Sequence, residues 1–202
     1  MSREDVARLA ARLLYDRKVK EYKDAKEMAA ASLSFKALPS NYEVAVELDA
    51  LTDQLEGDAR QNRLIEMREA ALEVMKTLMR YKPRLMGSVW RGTTRLGSDI
   101  DVIVYGDPNE VERMLSRSYT MTGRDTQRFT LEGFLRTTTH IRLIVRGYEA
   151  EVVVRSPRDI EAYGEDRCEI YGDARRGLGV EELEKLMRAD PLRRFVPKRR
   201  VK

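Results

Sequence analysis

The stretch Asp99-Ile-Asp101-Val-Ile-Val-Tyr105 constrains this chain more than any other. Its β-branched second half favours a strand, and a strand sends alternate side chains to opposite faces, so Asp99 and Asp101 present neighbouring carboxylates on one side. Two like charges that close are costly unless a cation sits between them. Oxygen-only ligands select a hard cation, magnesium or manganese, over zinc. The segment therefore reads as a buried strand opened by a pair of metal-binding carboxylates.

What precedes it is helical. From Ser2 to about Lys36 the apolar positions recur at three- and four-residue steps, which predicts one long amphipathic helix with room for a single break. Ser2 with Asp5 and Ser40 with Glu43 carry capping-box spacing, and Pro39 separates them. A second helix is expected over about 41–56, closed by Gly57, and a third after Asp58 that ends before Pro83. Beyond the carboxylate strand, a helix near Glu110 to Ser116 precedes two strands, His140 to Val145 and Tyr148 to Arg155, joined tightly at Arg146-Gly147. Tyr119 to Leu135 is rich in Thr and Arg, and its alternation is too weak to assign. A short helix near Val180 to Met187 leads to a basic end. The expected division is a helical region over 1–57, a catalytic core over 58–165 and a C-terminal segment over 166–202.

Composition narrows the function classes. The chain has 202 residues, and a single cysteine, Cys168, excludes intramolecular disulfides and Cys-based zinc sites. His140 is the only histidine, so no multi-His metal site can be built; it reads as a strand-edge residue. No window approaches the roughly twenty apolar residues of a membrane span, and the N-terminus lacks a signal peptide's apolar core, so a cytoplasmic protein without membrane contact is expected. The formal charge is only +4, yet Lys185 to Lys202 holds eight basic residues against one acidic. The basic character is concentrated in a tail.

Upstream of the carboxylates stands Leu85-Met-Gly87-Ser88-Val-Trp90-Arg91-Gly92-Thr93-Thr-Arg95. A glycine after a short apolar segment lets backbone N–H groups approach an anion, and the Ser hydroxyl adds a hydrogen bond. An anion cradle beside a metal pair is what in-line displacement at a nucleoside triphosphate requires. Gly-Ser, about ten residues, then Asp-hydrophobic-Asp resembles the signature of the DNA polymerase beta-like nucleotidyltransferase superfamily. The fuller string is most similar to archaeal CCA-adding enzymes and small stand-alone nucleotidyltransferases, and the resemblance covers roughly residues 62–157.

That resemblance implies an α+β fold, a small mixed-sheet polymerase beta-like palm with the helical region attached. It implies two divalent ions, magnesium or manganese, and transfer of a nucleoside monophosphate from a triphosphate to a hydroxyl with release of pyrophosphate. The phosphate-binding pair carries over to Gly87 and Ser88, and the metal-binding carboxylates to Asp99 and Asp101. Glu151, ahead of Val152 to Val154 and Pro157, fits the third carboxylate; Glu149, two residues earlier, faces the same way and is the other candidate. Arg91, Thr93 and Arg95 are candidate triphosphate contacts, because Arg forks suit phosphate. Trp90 is expected in the core. An RNA acceptor held through the basic tail follows from the Arg91-Gly92-Thr93 string and the tail's charge. The rival reading is a non-catalytic nucleotide-binding interaction protein, such as the partner half of a toxin–antitoxin pair.

Overall fold

The computed structural model describes residues 1–131, 134–160 and 167–199. They gather into two compact units, Met1–Arg60 with Arg167–Asp173 and Val196–Lys202, and Gln61–Asp166 with Ala174–Phe195. Residues 166–202, expected as one segment, thus divide between the two. Among the described residues no helix is long and apolar enough to cross a membrane.

The first unit is built on α1 (Arg3–Tyr15), α2 (Tyr22–Ser32) and the start of α3 (Asn41–Thr77). Ser2 and Asp5 form the expected capping box, and the Glu43 carboxylate accepts from the Ser40 N–H at 2.7 Å. The single break expected before Lys36 falls between Tyr15 and Tyr22, where Arg17 takes a left-handed φ of 55°. Val6, Ala10, Leu14, Ala25, Ala29 and Val44 make its core. The second and third expected helices prove to be one helical run interrupted at Gly57 alone, whose φ of 48° and ψ of −130° suit glycine. Arg60, buried, spans that kink, donating to the Asp49 carbonyl at 3.0 Å and to Asp53 Oδ1 at 2.6 Å.

The second unit carries a five-stranded mixed sheet. In chain order its elements are β1 (Arg84–Leu85), α4 (Gly87–Arg91), β2 (Ile100–Tyr105), α5 (Pro108–Leu115), β3 (Thr120–Leu131), β4 (Phe134–Val145), β5 (Tyr148–Arg155) and α6 (Val180–Ala189). The strand order is β1-β2-β5-β4-β3, with β2 and β5 parallel and the other pairs antiparallel. One face is apolar. Ile100, Val102 and Val104 alternate on it with Val152 and Val154 of β5 and Ile141 and Leu143 of β4, packed in one cluster with Ala71, Val74 and Leu78 of α3. The β4–β5 hairpin turns at Arg146 and Gly147, both at positive φ, as a two-residue turn demands. Residues 120–131, unassigned from sequence, form edge strand β3. It pairs with β4 alone, so no sandwiching layer imposes alternation on it.

Candidate active site

The polar face of the sheet is assembled by register. Asp101 on β2 pairs with Glu151 on β5, and Glu151 pairs with Arg142 on β4. Cross-strand neighbours lie about 4.8 Å apart, so two carboxylates from strands 50 residues apart in sequence stand side by side. Glu149 pairs with Ile144 and is exposed, one strand step further out. Asp99 is exposed immediately before β2. Burial first, then the Asp99 and Glu151 charges, push the Asp101 carboxyl up to about 7, against the pull of Arg175.

Gly87 is fixed against this carboxylate. The Met86 N–H donates to the Asp101 carbonyl at 2.8 Å, which brings the chain back to β2 where α4 begins. A Cβ on Gly87 would stand 1.9 Å from Asp101 Oδ2, and the residue's φ is +64°. Glycine is therefore required twice over, by conformation and by contact.

The remainder of α4 is held from beneath by a residue with no sequence signature. Arg68 of α3, fully buried, donates from Nε to the Val89 carbonyl at 3.1 Å and from Nη2 to the Trp90 carbonyl at 3.0 Å. These are last-turn carbonyls that a helix leaves unsatisfied. The same guanidinium reaches the Pro191 and Arg193 carbonyls at 2.6 and 2.9 Å. Burial lowers its pKa to about 10, so it stays charged at neutral pH. Trp90 is buried in the core, as expected.

Arg91, a candidate triphosphate contact, sits within the scaffold. It is buried, lies over the Trp90 ring at 4.4 Å, and donates to the Phe195 carbonyl at 2.9 Å, while its own carbonyl accepts from the Phe195 N–H. Its guanidinium is engaged with the Phe195 carbonyl and the Trp90 ring. Residues 193–195 correspondingly are not a loose tail: a Cβ on Gly92 would meet the Arg193 carbonyl at 3.0 Å, and Arg193 sits over the Phe195 ring. Arg200 and Lys202 lie outside the described residues. Thr93 and Arg95 occupy the turn between α4 and β2, where the Thr93 N–H donates to the Ser88 carbonyl and the Arg95 N–H to Ser98 Oγ.

Two further residues stand near Glu151: His140, expected as a strand-edge residue but placed within interior strand β4, and Arg142, which the sequence did not single out. His140 Nδ1 lies 3.1 Å from Glu151 Oε2, and its Nε2 lies 3.2 Å from Thr138 Oγ1. In the neutral tautomer with the proton on Nδ1, His140 donates to the carboxylate and accepts from the threonine. Arg142 Nη1 stands 3.6 Å from Glu151 Oε1 and pairs also with Asp125. Only register reveals these contacts, because residues 140, 142 and 151 alternate on one face across two strands.

The donor set suits a divalent cation. It is all oxygen, it crowds like charges that a cation would relieve, and the Asp101 carboxylate reaches the place that a Cβ on Gly87 would take. Among the described residues no three Asp, Glu, His or Cys side chains already converge on one point. The Glu151 carboxylate is drawn instead to His140 and Arg142.

The family model described as nucleotidyltransferase domain matches residues 64–170, just over half of the chain. The protein belongs to the nucleotidyltransferase-domain family. This places it in the polymerase beta-like superfamily and identifies it as a transferase fold of the class that moves nucleoside monophosphates from triphosphates, with divalent metals. The nucleotidyltransferase match spans all five strands and ends before α6. No curated protein matches the chain.

Proposed function

We propose that this nucleotidyltransferase transfers a nucleoside monophosphate to a hydroxyl acceptor, with an RNA end as the acceptor and magnesium or manganese bound by Asp99, Asp101 and Glu151. The observation that carries the reading is the contact of Asp101 with Gly87: one carboxylate is held in register with a second while pressed against the glycine that opens α4. In this reading Gly87 and Ser88 hold the β- and γ-phosphates through backbone N–H groups and the Ser hydroxyl. Thr93 and Arg95 border the same loop and serve as further phosphate contacts. The bound metals, when present, neutralise the phosphate charge and lower the pKa of the attacking hydroxyl.

The acceptor oxygen forms a bond to the α-phosphorus as the bond from that phosphorus to the bridging oxygen of the β-phosphate breaks, and pyrophosphate leaves with its electron pair. Glu151 faces the acceptor side and receives the hydroxyl proton. His140 and Arg142 orient it. Arg68 keeps α4 rigid beneath the phosphates, a positioning role exercised through the Val89 and Trp90 carbonyls. Similarity of the 87–101 motif to archaeal CCA-adding enzymes supports an RNA acceptor.

Incubation with α-labelled triphosphates and RNA, protein and small-molecule acceptors tests the reading. Metal-dependent labelled product that vanishes in Asp101→Ala is expected. Wild type no better than that variant across all acceptors would overturn it.

A further inference from the structure

Below the carboxylates, the same sheet face opens into a cavity of 720 Å³ that the transfer chemistry leaves unused. Ile103 and Tyr105 line it, two and four residues beyond Asp101 on the same side of β2, so it begins about one strand step, roughly 7 Å, from that carboxylate. Met86, directly before Gly87, forms part of its wall. The cavity is thus contiguous with the site.

Its lining has an unusual balance. Lys82, Arg84, Arg155, Arg175 and Arg176 contribute five cations against the carboxylates of Glu181 and Glu182. Glu182 is itself occupied, accepting from the Gly179 N–H at 2.7 Å and from Arg84 at 3.1 Å. Arg84 also donates to the Gly177 carbonyl at 3.0 Å, which fixes its guanidinium at the wall. Met86, Ile103 and Tyr105 add apolar and aromatic side chains to the lining. Pockets for nucleotide-sized ligands run from about 300 to 1,000 Å³, so the volume is sufficient.

Charge decides which ligand. The donor's own phosphates belong, in the transfer reading, to Gly87, Ser88 and the metals, and the donor's nucleoside is neutral. A cavity with a net excess of cations answers a ligand that brings phosphates of its own together with a flat apolar group. We infer that this cavity seats the terminal nucleotides of a single-stranded nucleic-acid acceptor, with a base against Tyr105 and the backbone phosphates among Lys82, Arg155 and Arg176. The inference rests on the transfer reading for the placement of the donor. It moves the acceptor from the basic end of the chain, where residues 193–195 are packed into the scaffold, to the sheet face beside the carboxylates.

The test uses the full chain with magnesium, a short fluorescein-labelled single-stranded RNA bearing a free 3′ hydroxyl, and ATP in a parallel calorimetric titration. Lys82 and Arg176 are exposed, so the Lys82→Glu/Arg176→Glu variant is expected to fold, checked by thermal melting. It should weaken RNA binding at least about tenfold and flatten the slope of log affinity against log salt by about 1.4, the value for two lost single-strand phosphate contacts. ATP affinity should change by less than about twofold, since the donor phosphates lie elsewhere. Tyr105→Ala should weaken RNA binding and Tyr105→Phe restore it, because stacking needs the ring and not the hydroxyl. Reversal of Lys198 and Arg199 at the basic end should leave binding unchanged. RNA affinity untouched by the cavity variants, or lost only with the Lys198 and Arg199 reversals, overturns the inference. So does loss of ATP binding with RNA binding intact, which would assign the cavity to the donor's nucleoside. Failure of the transfer reading is separate: wild-type protein would then neither bind ATP nor form labelled product, whatever its RNA affinity.

Discussion

The two faces of the central sheet are made from the same strands and carry opposite assignments. Along β2, Ile100, Val102 and Val104 are buried without exposure, whereas Asp101 between them stands beside Glu151, which in turn meets Arg142 and His140. The apolar face holds the fold and tolerates no charge. Its opposite crowds carboxylates at a cost to stability, which is the expected signature of a functional surface. Adjacent residues on one strand should therefore separate activity from stability.

Asp101→Asn gives the largest expected effect, a loss of activity of about a thousandfold or more, since in the proposed reading it removes a charge from the metal site. Stability should move the other way. The Asp101 carboxyl is raised from 3.8 to about 7 in the fold, so the folded state binds the proton more tightly than the unfolded chain. Stability of the metal-free protein then falls as pH rises from the unfolded value through the folded one. Melting curves should show the Asn variant more stable than wild type above that window, with the advantage vanishing towards pH 4 or about that value. Val102→Ala, one residue away, should lose roughly 1–3 kcal/mol with turnover nearly preserved below its melting point. A Val102 variant that lost activity while fully folded would break the comparison.

Gly87→Ala sharpens it. The added Cβ collides with Asp101 Oδ2 at 1.9 Å and strains a left-handed φ, so a fall in activity of about a hundredfold is expected with a stability cost of only about 1–3 kcal/mol. Arg68→Met is the crossing case, a residue of the buried side that acts on the site. It leaves carbonyls of α4 and of residues 191–193 without a donor, and should cost about 3 kcal/mol. At temperatures where the variant is folded, steady-state kinetics should show KM for the triphosphate raised about tenfold with kcat less affected. His140→Ala should show the smallest change, a drop in kcat of about tenfold. Partial recovery in His140→Gln, which keeps a donor, would distinguish orientation of Glu151 from simple packing.

The polar face was legible where spacing alone encodes it. Asp99 and Asp101 alternate at the entry to one strand, and Gly87-Ser88 stands a fixed distance upstream, so their association needs no knowledge of register. The choice of Glu151 over Glu149 as the neighbour of Asp101, and the partners His140 and Arg142, depend on how β2, β5 and β4 align. No local pattern reports that alignment. Arginines were the least legible. Arg91 and Arg68 carry the same fork that suits phosphate, yet both donate to backbone carbonyls, and several of those come from residues about a hundred positions away, where no local pattern points to them. The hairpin at Arg146-Gly147 and the caps at Ser2 and Ser40 were readable because turn and cap chemistry is local. Strand β3 was not, since an edge strand paired on one side has no second layer to impose alternation.

The Arg68 contacts reach carbonyls 123 and 125 positions further along the chain. Closing loops of that length is slow compared with forming the helices and hairpins they enclose. During synthesis the strands and carboxylates emerge first, and the helix that opens at Gly87 lacks its lower support until residues 191–195 have left the ribosome and docked. The helix at Gly87 is then the last part of the site to become rigid, so in the proposed reading a nascent chain holds its carboxylates before it can grip a triphosphate.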